Sequence, residues 1–244
     1  MIPALKSEFR KLLTVRSTYF IVIIALLIVS LFAGYIDGFR GEVGQHANLI
    51  RSESANAIVF VGFILAFAGM LLVGHEYRYN TIMYTLASSN RRYKVLLAKL
   101  ITISIFALAA SLVVVVFAPL CTIAGGALHG RSFGLGSIDW GLVGRCLFCG
   151  WGYAVYAFIF IAIIRSQVGA IVTFLLLPLI GENILSLLLK HNAKYLPFNA
   201  VQSVAAPMGL GNHTTATQSI LTVLAYISVG LIISVVLFLR RDAN

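Results

Sequence analysis

The chain has 244 residues, 60% of them hydrophobic and 11% charged, and its mean hydropathy is +0.96. That balance excludes a soluble globular domain, which needs a polar surface to face water. Its 18 Lys and Arg against 8 Asp and Glu would point a soluble chain toward nucleic acid, but in an apolar chain they report orientation and attraction to anionic headgroups, with no nucleic-acid partner required.

In chain order, residues 1–17 come first. Ile2, Leu5, Phe9, Leu12 and Leu13 share one arc of a helical wheel, while Lys6, Arg10 and Lys11 fall outside it. This is the pattern of an amphipathic helix lying on the inner leaflet. Charge-free apolar runs follow at about 18–36, 56–74, 98–120, 146–164, 168–189 and 218–239. Each is long enough for a hydrocarbon core of about 30 Å, which takes about 20 helical residues. The first run follows a basic start but is too long for a signal peptide, and Leu31 stands where cleavage after Ala33 would need a small residue. The expected fold is an all-α integral membrane protein, with residues 1–244 forming a single transmembrane domain of six spans.

Six spans put both termini on the same side. With the N-terminus inside, 12 of the 18 basic residues, among them Lys6, Arg10, Arg78, Arg91, Lys99 and Arg241, fall on the inner side. The remaining six, including Arg145 and Lys190, fall outside, so the positive-inside rule gives an N-in, C-in arrangement.

The connection between spans two and three, residues 75–97, is longer than a topological turn needs. It is basic, carries Tyr77, Tyr79, Tyr84 and Tyr93, and lacks proline and glycine. A short helix is expected from about Glu76 to Leu86, then a break near Ser88, Ser89 and Asn90, and a second helix from Arg91 into span three. On the outer side, residues 37–55 are polar and 129–141 glycine-rich. Residues 190–217 are too apolar for a solvated loop and read as short interfacial or re-entrant helices, because bare backbone cannot face lipid.

Few motifs carry chemistry. No G-x-x-x-x-G-K-[ST] occurs, so these residues form no P-loop for nucleotide phosphates. His75-Glu76 resembles the start of a zincin motif, yet Tyr79 stands where the second histidine belongs. Cys146 and Cys149 have C-x-x-C spacing but sit in an apolar run before Gly150-Trp151-Gly152, the context of small packing residues. Asn212-His213-Thr214 matches the glycosylation triplet, a pattern common by chance. Glu182 lies about 14 residues into span five, roughly 21 Å from its inner end. A lone carboxylate at that depth is a functional-site hypothesis. Arg145, at similar depth at the start of span four, makes an intramembrane Glu182–Arg145 ion pair the structural counterpart of that hypothesis. Pro178 and Pro119 are expected to kink their helices. Gly62 with Ala66, and Gly150 with Ala154, permit close helix contact and are compatible with dimerisation.

The stretch Glu76-Tyr77-Arg78-Tyr79-Asn80-Thr81-Ile82, followed by Thr85-Leu86, Arg91-Arg92 and Lys99, resembles the segment after the second helix of ABC-2 type transporter permeases, E-x-x-x-G-T followed by Leu, Arg and Lys. The likeness extends over the chain, from an amphipathic start with Glu8, Arg10 and Lys11, through six spans and a long segment between spans five and six, to the Arg-Arg-Asp ending. Asn80 departs from the usual glycine, though Asn also tolerates a left-handed backbone. The resemblance implies a non-enzymatic permease subunit of an ATP-driven exporter in the cell membrane, a bacterial inner or plasma membrane. It implies a second permease, identical or related, and separate ATPase subunits that bind ATP-Mg, the permease itself holding no cofactor or metal. It also implies that the 75–97 loop carries the coupling helix, with Glu76, Tyr77, Arg78, Thr81, Met83 and Arg91 as ATPase-coupling positions. Apolar walls suit a hydrophobic or amphipathic substrate such as a drug, peptide or lipid. A self-sufficient secondary transporter or channel is the alternative, but it should show more intramembrane charge or an internal repeat.

Overall fold

In the computed structural model, residues 2–40, 49–79, 81, 92–130, 139–205 and 215–240 are described. Among them the fold is all-helical, and six helices are long and apolar enough to cross a membrane: Arg16–Ile36, Ala55–Arg78, Tyr93–Leu128, Trp140–Ile164, Gln167–Leu189 and Ala216–Phe238. The chain is a multi-pass membrane protein. An amphipathic helix, α1 (Ile2–Thr14), precedes the spans and is separated from them by the extended Val15. Span one is α2 (Arg16–Val29), which widens into a π-helix over Ser30–Arg40. Span two is α3 (Leu49–Arg78), span three α4 (Arg92–Leu128) and span four α5 (Trp140–Ile164).

Span five is composite. α6 (Gln167–Leu176) passes into a π-helical turn, Leu177–Gly181, and resumes as α7 (Glu182–Leu189). Pro178 has no N–H to give the Phe174 carbonyl, and the chain answers by widening: the Glu182 N–H reaches back five residues to the Leu177 carbonyl. Pro119, by contrast, lies within a continuous α4. A 3-10 turn, Lys190–Tyr195, and the short α8 (Pro197–Ala205) follow span five, and α9 (Ala216–Arg240) forms span six.

The turn between α5 and α6 takes only Arg165 and Ser166. Arg165 adopts the left-handed conformation that ends a helix (φ 55°), and the Ser166 hydroxyl accepts the Gly169 N–H to start the next. The Arg165 guanidinium also donates to the Leu237 carbonyl at 3.0 Å, tying this turn to the end of span six.

The core lies between α3 and α5, where Ile58, Met70, Tyr153 and Phe158 are fully buried. Spans one, five and six expose Phe20, Leu27, Leu187 and Ile232. Hydrocarbon is as apolar as these side chains, so exposing them to lipid costs nothing. The small residues of spans two and four are used within the chain: a Cβ added to Gly62 would lie 3.5 Å from the Gly150 Cα, and one added to Gly150 would strike the Ser111 hydroxyl. Spans one and three approach more closely still, since a Cβ on Gly125 would run into the Gly34 carbonyl.

Candidate functional site

Two buried polar centres stand out, one at each end of the bundle. At the first, α1, the end of α3 and the start of α4 converge. Glu8 occupies the apolar stripe of α1, one turn from both Leu5 and Leu12, and is buried together with Leu12. A carboxylate there needs a cation, and two are supplied. Lys11 Nζ lies 2.8 Å from Glu8 Oε1 and 2.7 Å from Glu76 Oε1. Lys99 Nζ lies 3.0 Å from Glu8 Oε2 and 2.7 Å from Glu76 Oε1. The result is a closed ring of two carboxylates and two ammonium groups, in which Glu8, Glu76 and Lys99 are almost wholly buried. The second oxygen of Glu76 has no hydrogen-bond partner. Burial alone would lower the Lys11 pKa, but the hydrogen bonds to Glu76 and Glu8 outweigh it and hold the ammonium above its ordinary 10.5.

The expected coupling residues are redistributed by this arrangement. No separate helix begins at Glu76, because α3 continues unbroken through Arg78. Prolonging an existing helix adds one hydrogen bond per residue, whereas a new helix must be nucleated afresh. The Tyr79 N–H then donates to the His75 carbonyl and the Thr81 N–H to the Glu76 carbonyl, closing the helix end. Glu76 faces inward to the lysines, Tyr77 packs against the core, and Arg78 is exposed with its guanidinium 5.5 Å from the Tyr79 ring centroid. Buried Glu76 and exposed Arg78 therefore do not share one docking face. Met83 and Arg91 lie outside the described residues, as does Asn80. Glu8, Lys11 and Lys99 were visible in sequence only as parts of a likeness, not as partners of Glu76.

At the opposite end Glu182 is the first residue of α7 and is 3% exposed. Its expected ion pair with Arg145 is not formed. Instead Oε1 accepts the Phe198 N–H at 2.7 Å and Oε2 the Asn199 N–H at 2.9 Å. These amides belong to the first turn of α8, where backbone donors have no partner within the helix and the helix dipole is positive. Glu182 thus caps α8 from another element. Arg145 turns toward the start of its own helix, donating to the Gly141 carbonyl at 3.2 Å and lying 3.6 Å from the Asp139 carboxylate, which itself caps α5. The cap holds Phe198 in an aromatic cluster drawn from three spans, with ring centroids at 5.3 Å from Phe174, 5.7 Å from Tyr156 and 6.2 Å from Phe63.

The Asn212-His213-Thr214 triplet lies outside the described residues. Cys146 and Cys149 are free thiols packed into the core. Among the described residues no group of three His, Cys, Asp or Glu could hold a metal ion. Two apolar grooves of about 180 Å³ each lie along span one. One runs between Phe32, Asn56 and Phe60, the other between Leu26, Leu65 and Phe106.

A comparison with curated proteins finds no match. Comparison with protein families matches residues 4–181 to the family described as ABC-2 family transporter protein, a stretch that includes the whole Glu8–Glu76–Lys99 junction and stops just before Glu182. With six membrane-crossing helices and a match over most of its length, the chain belongs to the ABC-2 transporter family and is a transport permease.

Proposed function

We propose that this permease is the membrane subunit of an ATP-driven exporter, energised by separate ATPase subunits that dock on the 75–97 segment. The observation that carries the reading is the junction itself. The segment takes in the last turn of α3, and Glu76 in that turn is tied by ion pairs to α1 and α4, so a load applied there enters three helices at once. A rigid attachment transmits motion that a loose turn would dissipate. Exposed Arg78 and Tyr79 lie at the point of departure. No P-loop occurs in these 244 residues, so ATP-Mg is bound by the partner. The charged junction faces the cytoplasm, in keeping with the basic residues around it, and the membrane is a bacterial inner or plasma membrane.

A second permease, identical or related, completes the pathway. The apolar grooves along span one suit a hydrophobic or amphipathic cargo, a drug, peptide or lipid. A self-sufficient secondary transporter or channel is disfavoured because Glu182, the buried acid that ion coupling would call on, is already engaged by two backbone donors. The test is Arg78→Glu in the reconstituted permease–ATPase complex. The expected outcome is normal membrane insertion with transport uncoupled from ATP hydrolysis. Unchanged transport together with unchanged ATPase assembly would overturn the docking reading.

A further inference from the structure

We propose that Glu8, Lys11, Glu76 and Lys99 form an electrostatic lock that makes α1 a fixed part of the moving unit, with Lys99 as its central positioning residue. The inference rests on the reading that an ATPase drives the 75–97 segment, and it adds which residues carry that motion into α1. Three observations support it.

The first is connectivity. Glu8 and Lys11 belong to α1, Glu76 to α3 and Lys99 to α4, and each lysine contacts both carboxylates. Pulling any one helix away separates at least two charge-assisted contacts. The second is burial. Lys99 is 2% exposed and Glu8 2% exposed, so neither can exchange its partner for water without leaving the junction. A surface ion pair could swap to solvent at little cost, whereas a desolvated one cannot. The third is the covalent alternative. Between α1 and α2 only Val15 is non-helical, with extended backbone, and the Tyr19 hydroxyl donates across it to the Leu13 carbonyl, a contact that hinges α1 at its C-terminal end without fixing the depth or rotation of the turns before it. Apolar contact through Leu12 adds adhesion without orientation. The ring of charges supplies what the linker lacks: two contacts from α1, through Glu8 and Lys11, set both its depth and its rotation.

The lock explains why α1 carries a carboxylate on its buried stripe. A helix meant only to float on a leaflet would place leucine there. It also assigns different roles to neighbours on α3: Glu76 holds the three helices together, while Arg78 remains available to a partner.

The test uses spin labels at exposed Leu13 in α1 and Tyr93 at the start of α4, with their separation measured by pulsed electron resonance in lipid nanodiscs. The permease is examined alone and with its co-purified ATPase, ATP-free and trapped with ATP and vanadate. In the unaltered protein the Leu13–Tyr93 distribution should be narrow and unchanged by trapping. Glu8→Gln and Lys99→Met should broaden it and lower transport of a fluorescent phospholipid probe relative to ATP hydrolysis, and Lys99→Arg should restore both. Because Lys99→Met leaves two carboxylates with one cation and could fail to fold, Glu8→Gln, nearly isosteric and uncharged, serves as the second variant. A distribution that shifts on trapping in the unaltered protein, or that stays narrow in Glu8→Gln, would overturn the lock. If no ATPase co-purifies, the docking reading fails, while the measurement on the permease alone still decides whether the charges fasten α1.

Discussion

Glu182→Gln separates a capping carboxylate from an ion-paired one. In the unaltered protein both oxygens accept backbone N–H groups, from Phe198 and Asn199. Glutamine retains one acceptor and turns an NH₂ toward the second donor, leaving a buried N–H unpaired. A hydrogen bond to a charged group contributes about 1.5–3 kcal/mol against about 1 for a neutral one, and an unsatisfied buried donor costs about 1–3 kcal/mol. Loss of the charge opposite the helix dipole adds up to about 2 kcal/mol in a buried setting. These contributions overlap, and the net expectation is destabilisation of about 2–4 kcal/mol. The assay is unfolding in mixed micelles by detergent titration, followed by tryptophan fluorescence, alongside hydrogen exchange at the Phe198 and Asn199 amides. Arg145→Gln should be additive with Glu182→Gln within about 0.3–0.5 kcal/mol, because the two side chains share no contact. Strong coupling between them, or unchanged exchange at both amides in Glu182→Gln, would refute the capping argument.

Phe198→Ala removes the ring shared by Phe63, Tyr156 and Phe174, and should destabilise the fold by about 3–5 kcal/mol in the same titration, with Phe198→Leu costing less. The elevated Lys11 pKa predicts a pH limit for α1 docking. Its contribution is fully present below the ordinary 10.5 and is lost as pH rises through the higher folded value. Fluorescence of Leu12→Trp, a residue buried at this junction, should therefore hold steady through neutral pH and report release only in strong alkali, and Lys11→Arg should move that release still higher.

The six membrane-crossing helices could be read from composition because crossing imposes a length and a polarity that single segments must satisfy alone. The polar centres depend on which helices meet, and that is not written in any one segment. Glu182 was singled out by its depth, but its partners are two peptide N–H groups that every residue possesses, so no letter in the sequence marks them. Arg145 was the visible cation, and proximity to Asp139 within its own first turn claimed it. The lock does leave a mark in the sequence. Glu8 interrupts the apolar arc of α1 at one turn from Leu5 and Leu12, and Lys99 sits inside the apolar start of span three. Buried charges of opposite sign on two elements are candidates for each other, even 91 positions apart. No new helix starts at Glu76, because continuing a helix requires no signal at all whereas stopping one does, and the break expected near Ser88, Ser89 and Asn90 lies outside the described residues.

The bare contact between Gly34 and Gly125 sets the geometry of any tilt in span three. With no side chain between the two backbones there is no compressible layer, so the helices rest on one another as on a bearing: they can pivot about the crossing but cannot draw closer. Gly125 lies near the last residue of α4, Leu128, while Lys99, 26 positions earlier, is about 39 Å away along the axis at about 1.5 Å per residue. The two arms of this lever are grossly unequal. A displacement of the Lys99 end by several ångströms would move the Leu128 end by well under one, so any tilt about this contact would be that of a mast stepped at its foot, taken up almost wholly at the charged end.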